Sequence, residues 1–346
     1  MIIMEKYTIF WFRRDLRLED NKGLYEALKG PNKVIPIFIY DTEITDKLQK
    51  DDHRLTFIQK ALGGINIAMK RNRCTVGIYR GTPKAIFKEI IRSFPVEKVI
   101  TNHDYERYAI ERDEEIKTLL EAEEIDFETH KDQVIFEKSE VVKDDTNPYV
   151  VYTPYSRKWM AKFSLEGIEN FPSEDHLENL YNDQPLPQIS LEEMGFNISK
   201  LVPKDFMFDE NLIDEYEATR NFPAHDATSR LGVYIRFGTQ SIRKLIARSA
   251  QRENPTFLKE LIWREFFMQI LWHFPHTESR CFKKQYERIE YRNNEKEFEK
   301  WCEGKTGYPL VDAGMRELNH TGFMHNRVRM LVSSFLCKHL LIDWRW

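Results

Sequence analysis

The feature that most constrains this chain is an alternation of two periods in its first 130 residues. Five short apolar runs, at 7–12, 34–40, 75–79, 98–103 and 125–129, are rich in Ile, Val, Phe and Tyr and predict buried strands. Longer stretches with helical spacing separate them, at 21–29, 54–69, 84–93 and 110–124. Pro83, directly after Gly81 and Thr82, suits the first turn of a helix. Strand–helix alternation of this kind implies a parallel sheet covered on both faces. Open sheets of that type bind ligands at the carboxyl ends of their strands. No G-x-G-x-x-G follows the first strand, so the pattern gives no support to a dinucleotide there.

The rest of the chain reads differently. Residues 131–205 carry turn-forming and acidic clusters at 143–148 and 171–187, with weak periodicity, and are expected to connect two domains. Within them, 149–160 (YVVYTPYSRKWM) is compact and aromatic, unlike a loose linker. From 206 onward the strand signal fades. Helices are predicted over 212–219, 241–252, 256–274, 296–303, 311–321 and 326–341. The expected organisation is an α/β domain at 1–132, a connector at 133–205 and an all-α domain at 206–346.

Composition limits the function classes. At 346 residues, 41% of them hydrophobic and 13% aromatic, the chain can bury a sizeable core, which excludes wholesale disorder. No apolar run approaches the roughly 20 residues of a membrane span. The first twenty residues lack the layout of a signal peptide. Cys74, Cys281, Cys302 and Cys337 are far apart with no C-x-x-C, so neither a disulfide framework nor a zinc site is expected, and a cytoplasmic setting is the simplest. Charge is uneven: 30 basic against 39 acidic residues in 1–210, net −9, and 22 against 17 in 211–346, net +5. The second half could meet an anionic partner; ordinary surface variation fits equally well.

Four segments could carry chemistry. In WFRRDLRLEDN (11–21), Arg13, Arg14, Asp15 and Arg17 follow the first strand; taken alone they favour an internal ion-pair cluster over a ligand grip. In RNFPAHDATSRLGVYIRFG (220–238), Asp226, Thr228 and Ser229 are helix-capping types, and two hydroxyls with Arg230 could also hold a diphosphate. In ELIWREFFM (260–268), Glu260 and Arg264 lie one helical turn apart with Trp263 beside them, a set suited to core packing or to base stacking and phosphate contact. In 304–346, GKT lacks the glycine spacing of a phosphate loop, while His325, Asn326, Arg327 and Arg329 open a basic helix. His320 and His325 have no carboxylate or thiol partner at metal-ligand spacing, and no metal is expected. No nucleophile arrangement is recognisable.

Taken together, in order and spacing, these segments resemble the DNA photolyase and cryptochrome family, and most closely its class I cyclobutane-dimer photolyases. NHDYERYAIERD (102–113), the 149–160 stretch, TSRLG and WCEGKTGYPLVDAGMRELNHTGFMHNRVRM carry the resemblance together with the segments above. It implies a Rossmann-like antenna-type domain, a helical FAD- and DNA-binding domain, and a monomeric enzyme. Reduced, photoexcited FAD would pass an electron to a cyclobutane pyrimidine dimer flipped out of DNA. By position, Tyr216, Thr228, Ser229, Arg230, Leu231 and Gly232 would hold the flavin. Glu260, Trp263, Asn326 and Met330 would act on the dimer. Arg220, Trp263, Arg264, Asn326, Arg327 and Arg329 would contact DNA. His325–Asn326 favours the cyclobutane dimer over the other major photoproduct.

Three departures from the pattern bear on expectation. Tyr105–Glu106 is followed by Arg107, Tyr108 and Ala109 instead of the Asn-Glu usual in folate binders, which argues against a folate antenna and leaves the second chromophore open. Trp344 matches the middle member of the family's electron relay, but the outer position is Tyr291, with Trp301 as another exit. Family members continue past position 346, so the helical domain is expected to be incomplete and to retain FAD weakly. A cryptochrome-type blue-light receptor and a truncated, non-catalytic remnant are the alternatives.

Overall fold

The computed structural model describes residues 6–346. Strands β1 (Tyr7–Phe12), β2 (Lys33–Asp41), β3 (Gly77–Gly81), β4 (Val96–Asn102) and β5 (Asp126–His130) form one parallel sheet in the order β3-β2-β1-β4-β5. Helices α1 (Lys22–Lys29), α2 (His53–Met69), α3 (Pro83–Ser93) and α4 (Arg107–Glu121) cross between strands. All five strands and four helices lie within a few residues of the predicted positions. Local chemistry explains the starts: Asn21 caps α1 by accepting from the Leu24 amide at 3.2 Å, and Thr82 with Pro83 opens α3.

The alternation inside β1 shows why both faces are covered. Phe10 and Phe12 pack with Leu24, Leu62 and Met69, while Ile9 and Trp11 pack with Phe87, Ile116 and Leu120. Two apolar layers thus sandwich the sheet. The connector belongs to this sandwich. Leu180, Leu191, Met194 and Phe196 join the first layer, and Tyr181 and Leu186 the second. Asn179 Nδ2 donates to the carbonyls of Leu28, Gly30 and Asn32, fastening the segment across the end of α1. The 149–160 stretch, read only as compact and aromatic, is the start of a helix, α5 (Tyr152–Glu166).

Beyond it the elements are helical: α6 (Glu210–Thr219), α7 (Gly232–Arg236), α8 (Ile242–Ala250), α9 (Thr256–His273), α10 (Glu295–Cys302), α11 (Pro309–Thr321) and α12 (Asn326–Ser334). Among the described residues no strand follows β5 apart from isolated bridges. The helix predicted over 326–341 is regular only to Ser334 and continues as a π segment, Phe335–His339.

The chain divides into two compact units. One comprises residues up to Ser199 with Gly232–Gln251 and Lys259–His273; the other comprises Lys200–Leu231, Arg252–Leu258 and Phe274–Trp346. The second unit has its own core of Val311, Met315, Met324, Val328, Val332 and Phe335. Gly314 lets α11 and α12 approach closely, because a Cβ there would stand 2.4 Å from Val328 Cγ1.

Candidate functional site

The arginines after β1 are consumed inside the first unit. Arg13 Nη1 donates to both carboxylate oxygens of Asp113, at 2.5 and 2.7 Å. Arg14 reaches Asp104 and Glu106, each at 2.7 Å. Arg17 Nη2 donates to both oxygens of buried Asp132 at 2.8 Å, and Arg243 meets the same carboxylate at 2.8 Å while also pairing with buried Asp20. Burial alone would push the Asp132 carboxyl up; the guanidiniums of Arg17 and Arg243 outweigh it and hold it at about 2. Asn102 Nδ2 donates to Asp15 and to Asn21, closing the same carboxyl end of the sheet. The crevice at the reversal of strand order is therefore filled by ion pairs, as the residue types alone favoured.

Helix α9 carries the aromatic centre of the first unit. The Trp263 indole is half-buried and stacks on the Tyr152 ring, with centroids 3.6 Å apart and planes at 7°. Phe266 meets both rings edge-on, and Phe267, 61% exposed, lies 5.5 Å from Trp263 with planes at 26°. Arg264 is turned inward: Nη1 donates to the Gln133 carbonyl at 2.7 Å, and burial lowers its pKa to about 10. Glu260 is half-buried on the same helix.

In the second unit Thr228 and Ser229 are half-buried, and the Ser229 hydroxyl faces the Leu231 amide at 3.4 Å. Arg230 adopts a left-handed backbone, with φ of 56°, pairs with Asp226 at 2.6 Å and stands 4.5 Å over the Phe323 ring. Two hydroxyls beside a guanidinium are hydrogen-bond donors of the kind a diphosphate accepts, so these residues fit that part of FAD. Tyr216 packs edge-on against Phe257 at 5.0 Å, with the Arg220 guanidinium 5.5 Å over its ring.

Helix α12 carries the other set. Asn326, Arg329 and Met330 are exposed, and Arg327 donates through Nε to Asn221 Oδ1 at 2.8 Å. The preceding His325 is buried and caps the helix, Nδ1 accepting from the Arg327 amide at 3.1 Å; burial lowers its pKa. Tyr291 and Trp344 line one cavity of about 390 Å³, together with Phe282, Tyr286, Cys281 and Cys337. The predicted residues thus fall into two sets. Glu260, Trp263, Arg264 and Gly232 belong to the first unit. Tyr216, Arg220, Thr228–Leu231, Tyr291, Asn326, Arg327, Arg329, Met330 and Trp344 belong to the second.

Residues 8–175 match the model of the DNA photolyase domain, and residues 257–346 match that of the FAD-binding domain of DNA photolyase. A deoxyribodipyrimidine photo-lyase of Halobacterium salinarum is 33% identical over 97% of this chain, which covers 76% of that protein. One from Escherichia coli is 31% identical over 97% of the chain and 76% of its own length. The chain belongs to the DNA photolyase family. A class III photolyase from Agrobacterium tumefaciens has the same fold, with a TM-score of 0.84 and 28% identity over all of this chain and 75% of that one. A Sulfolobus tokodaii photolyase solved with two FAD molecules gives 0.81 and 29% over 98% and 77%. A Synechocystis cryptochrome shares the fold at 0.84 and 23% identity, over all of this chain and 78% of that one.

Sequence reasoning missed two residues that fix α9 within the first unit. Glu265 is buried and accepts from the Ile135 and Phe136 amides, at 2.7 and 2.9 Å, and from the Trp159 indole. Burial pushes its carboxyl up to about 7 despite those donors and neighbouring Arg264. It fixes α9 to the connector. Its signal was a lone acid inside the apolar half of ELIWREFF. The second is Tyr152, whose stack on Trp263 joins positions over a hundred apart, with no local signal.

Proposed function

We propose that this photolyase-family chain repairs DNA in a light-driven reaction, with the cyclobutane pyrimidine dimer as its lesion. The observation that carries this reading is the FAD-binding-domain match over 257–346, because that stretch contains Trp263, Arg264, Asn326, Arg327, Arg329 and Met330. When bound, reduced FAD supplies the photoexcited electron that opens the cyclobutane ring and regains it afterward.

The chain's own residues bind and position. Thr228, Ser229 and Arg230 donate to the diphosphate, with Tyr216, Leu231 and Gly232 around them. Trp263 offers a flat apolar face to an unstacked base. Asn326 and Glu260 supply hydrogen bonds to pyrimidine edges, and Met330 supplies an apolar contact. Arg220, Arg327 and Arg329 face phosphates, consistent with the net +5 of residues 211–346. Arg264 enters differently than expected: its bond to the Gln133 carbonyl suits holding α9 in place. Tyr291 and Trp344, which share a cavity wall, are the candidate relay. The working domain division is 1–132, 133–205 and 206–346.

The test is a repair assay on an oligonucleotide carrying one thymine dimer, with flavin-loaded protein in light and in darkness. Dimer loss confined to the illuminated sample is expected. Trp263→Ala should weaken dimer binding by about 1–3 kcal/mol, the usual worth of a base–aromatic stack. A flavin that bleaches and recovers under light with no dimer lost would favour the photoreceptor reading.

A further inference from the structure

The proposed function leaves Tyr152 without a role, although its geometry is the tightest aromatic contact in the first unit. Its ring lies 3.6 Å from the Trp263 indole at 7°, and its hydroxyl donates to the Lys259 carbonyl at 2.7 Å, one helical turn before Trp263. The phenol is therefore held at both ends, by its face and by its oxygen. Phe266 closes the edge, 5.9 Å from Tyr152 and 5.6 Å from Trp263. Tyr152 is the first residue of α5, and that helix is tied to α9 by the bond from Trp159 to Glu265. The whole arrangement lies within the first unit.

Two consequences follow from these distances. A centroid separation of 3.6 Å leaves no room for a base between the rings, so a base that stacks on Trp263 must use the opposite face of the indole. The indole plane is also set before anything binds. An unsupported Trp side chain would have to be immobilised on binding, which costs affinity, whereas a preorganised one avoids that cost.

We propose that Tyr152 is a positioning residue for lesion recognition: it holds the Trp263 indole in the plane on which a flipped pyrimidine stacks, making the base the third layer of a Tyr–Trp–base sandwich. This rests on the reading of Trp263 as the base-stacking surface. Undamaged duplex keeps its bases inside the helix and makes no such stack, so Tyr152 contributes to preference for the lesion and not to general DNA affinity.

The test measures dark equilibrium binding of the full chain to a dimer-containing oligonucleotide and to its undamaged counterpart at one salt concentration. Tyr152→Leu keeps apolar volume and removes the flat face; it should weaken dimer binding about three- to tenfold, the range of an aromatic pair, and leave undamaged binding unchanged. Tyr152→Phe keeps the stack and loses only the hydroxyl bond, and should retain most of the preference. In protein labelled with 5-fluorotryptophan, the Trp263 fluorine resonance, assigned by its loss in Trp263→Phe, should shift and broaden in Tyr152→Leu but not in Tyr152→Phe. The proposal is overturned if Tyr152→Leu keeps the wild-type preference, or if it weakens both DNAs equally. A wild-type protein with no preference for the dimer would instead overturn the reading of Trp263 on which the proposal rests.

Discussion

Two groups of arginines in this molecule use one side chain for opposite ends. In the first unit Arg13, Arg14, Arg17 and Arg243 face carboxylates: Asp113, Asp104, Glu106, Asp132 and Asp20. In the second unit Arg329 is exposed and Arg327 bonds to the neutral amide of Asn221. The difference lies in what each group is given as a counter-charge. An arginine met by buried carboxylates becomes part of the scaffold, whereas one at the surface met by neutral groups keeps its charge for an anion in solution. Net charge alone could not separate the two cases.

The strongest way to break the comparison is to remove a counter-charge. Asp132 is bracketed by Arg17 and Arg243, and its side chain is fully buried. Asp132→Ala should cost about 3–5 kcal/mol, because two buried guanidiniums lose their shared partner. Urea denaturation would show this as a lower midpoint. A variant as stable as wild type would mean that the cluster is not structural.

Asp132 and Glu265, two of the buried acids of the first unit, should also respond to pH in opposite directions. Asp132 is held at about 2, below the ordinary Asp value of 3.8, so its contribution is present above pH 3.8 and lost as pH falls toward 2. Glu265 is raised to about 7 from an ordinary 4.5, so its contribution is present below pH 4.5 and lost as pH rises through 7. The second effect has an upper size on the order of 3 kcal/mol, at about 1.4 kcal/mol per pH unit. Comparing urea midpoints of wild type and Glu265→Gln from pH 4.5 to 8 isolates it, since the variant cannot titrate. Parallel profiles for the two proteins would show that Glu265 stays ionised throughout.

What was legible in the sequence follows the range of the interactions involved. Strands and helices of the sheet could be read because burial on both faces demands apolar runs, and because caps such as Asn21 and Thr82 act within three residues. Sequence reasoning does not identify α5 as a helix: the residues leading into and opening it, Val150, Val151, Tyr152 and Tyr155, favour strands, and packing of Tyr155 and Trp159 overrides that preference. The site was legible as a set of residue types but not as orientations. Nothing local distinguishes Arg264, bonded inward to Gln133, from Arg329, exposed on α12. Partners separated by more than a hundred positions, such as Arg17 and Asp132 or Tyr152 and Trp263, leave no trace in spacing.

The smallest expected effect sharpens the comparison most, because it pairs one arginine from each group. Each phosphate neutralised by a cation releases condensed counterions, so the logarithm of the binding constant falls with the logarithm of salt by about 0.9 per contact on duplex DNA. Arg329→Ala should therefore flatten the salt dependence of DNA binding by about 0.9 and leave the urea midpoint unchanged, as an exposed side chain contributes little to folding. Arg13→Ala should do the reverse. Its guanidinium is bound to Asp113 and to the Asn102 carbonyl, so its loss lowers stability while the salt slope stays that of wild type. Titrations at four or five salt concentrations, run beside denaturation of the same two variants, read both quantities. If Arg13→Ala changes the slope, the carboxyl end of the sheet also serves DNA, and the division between scaffold and contact arginines fails at its first member.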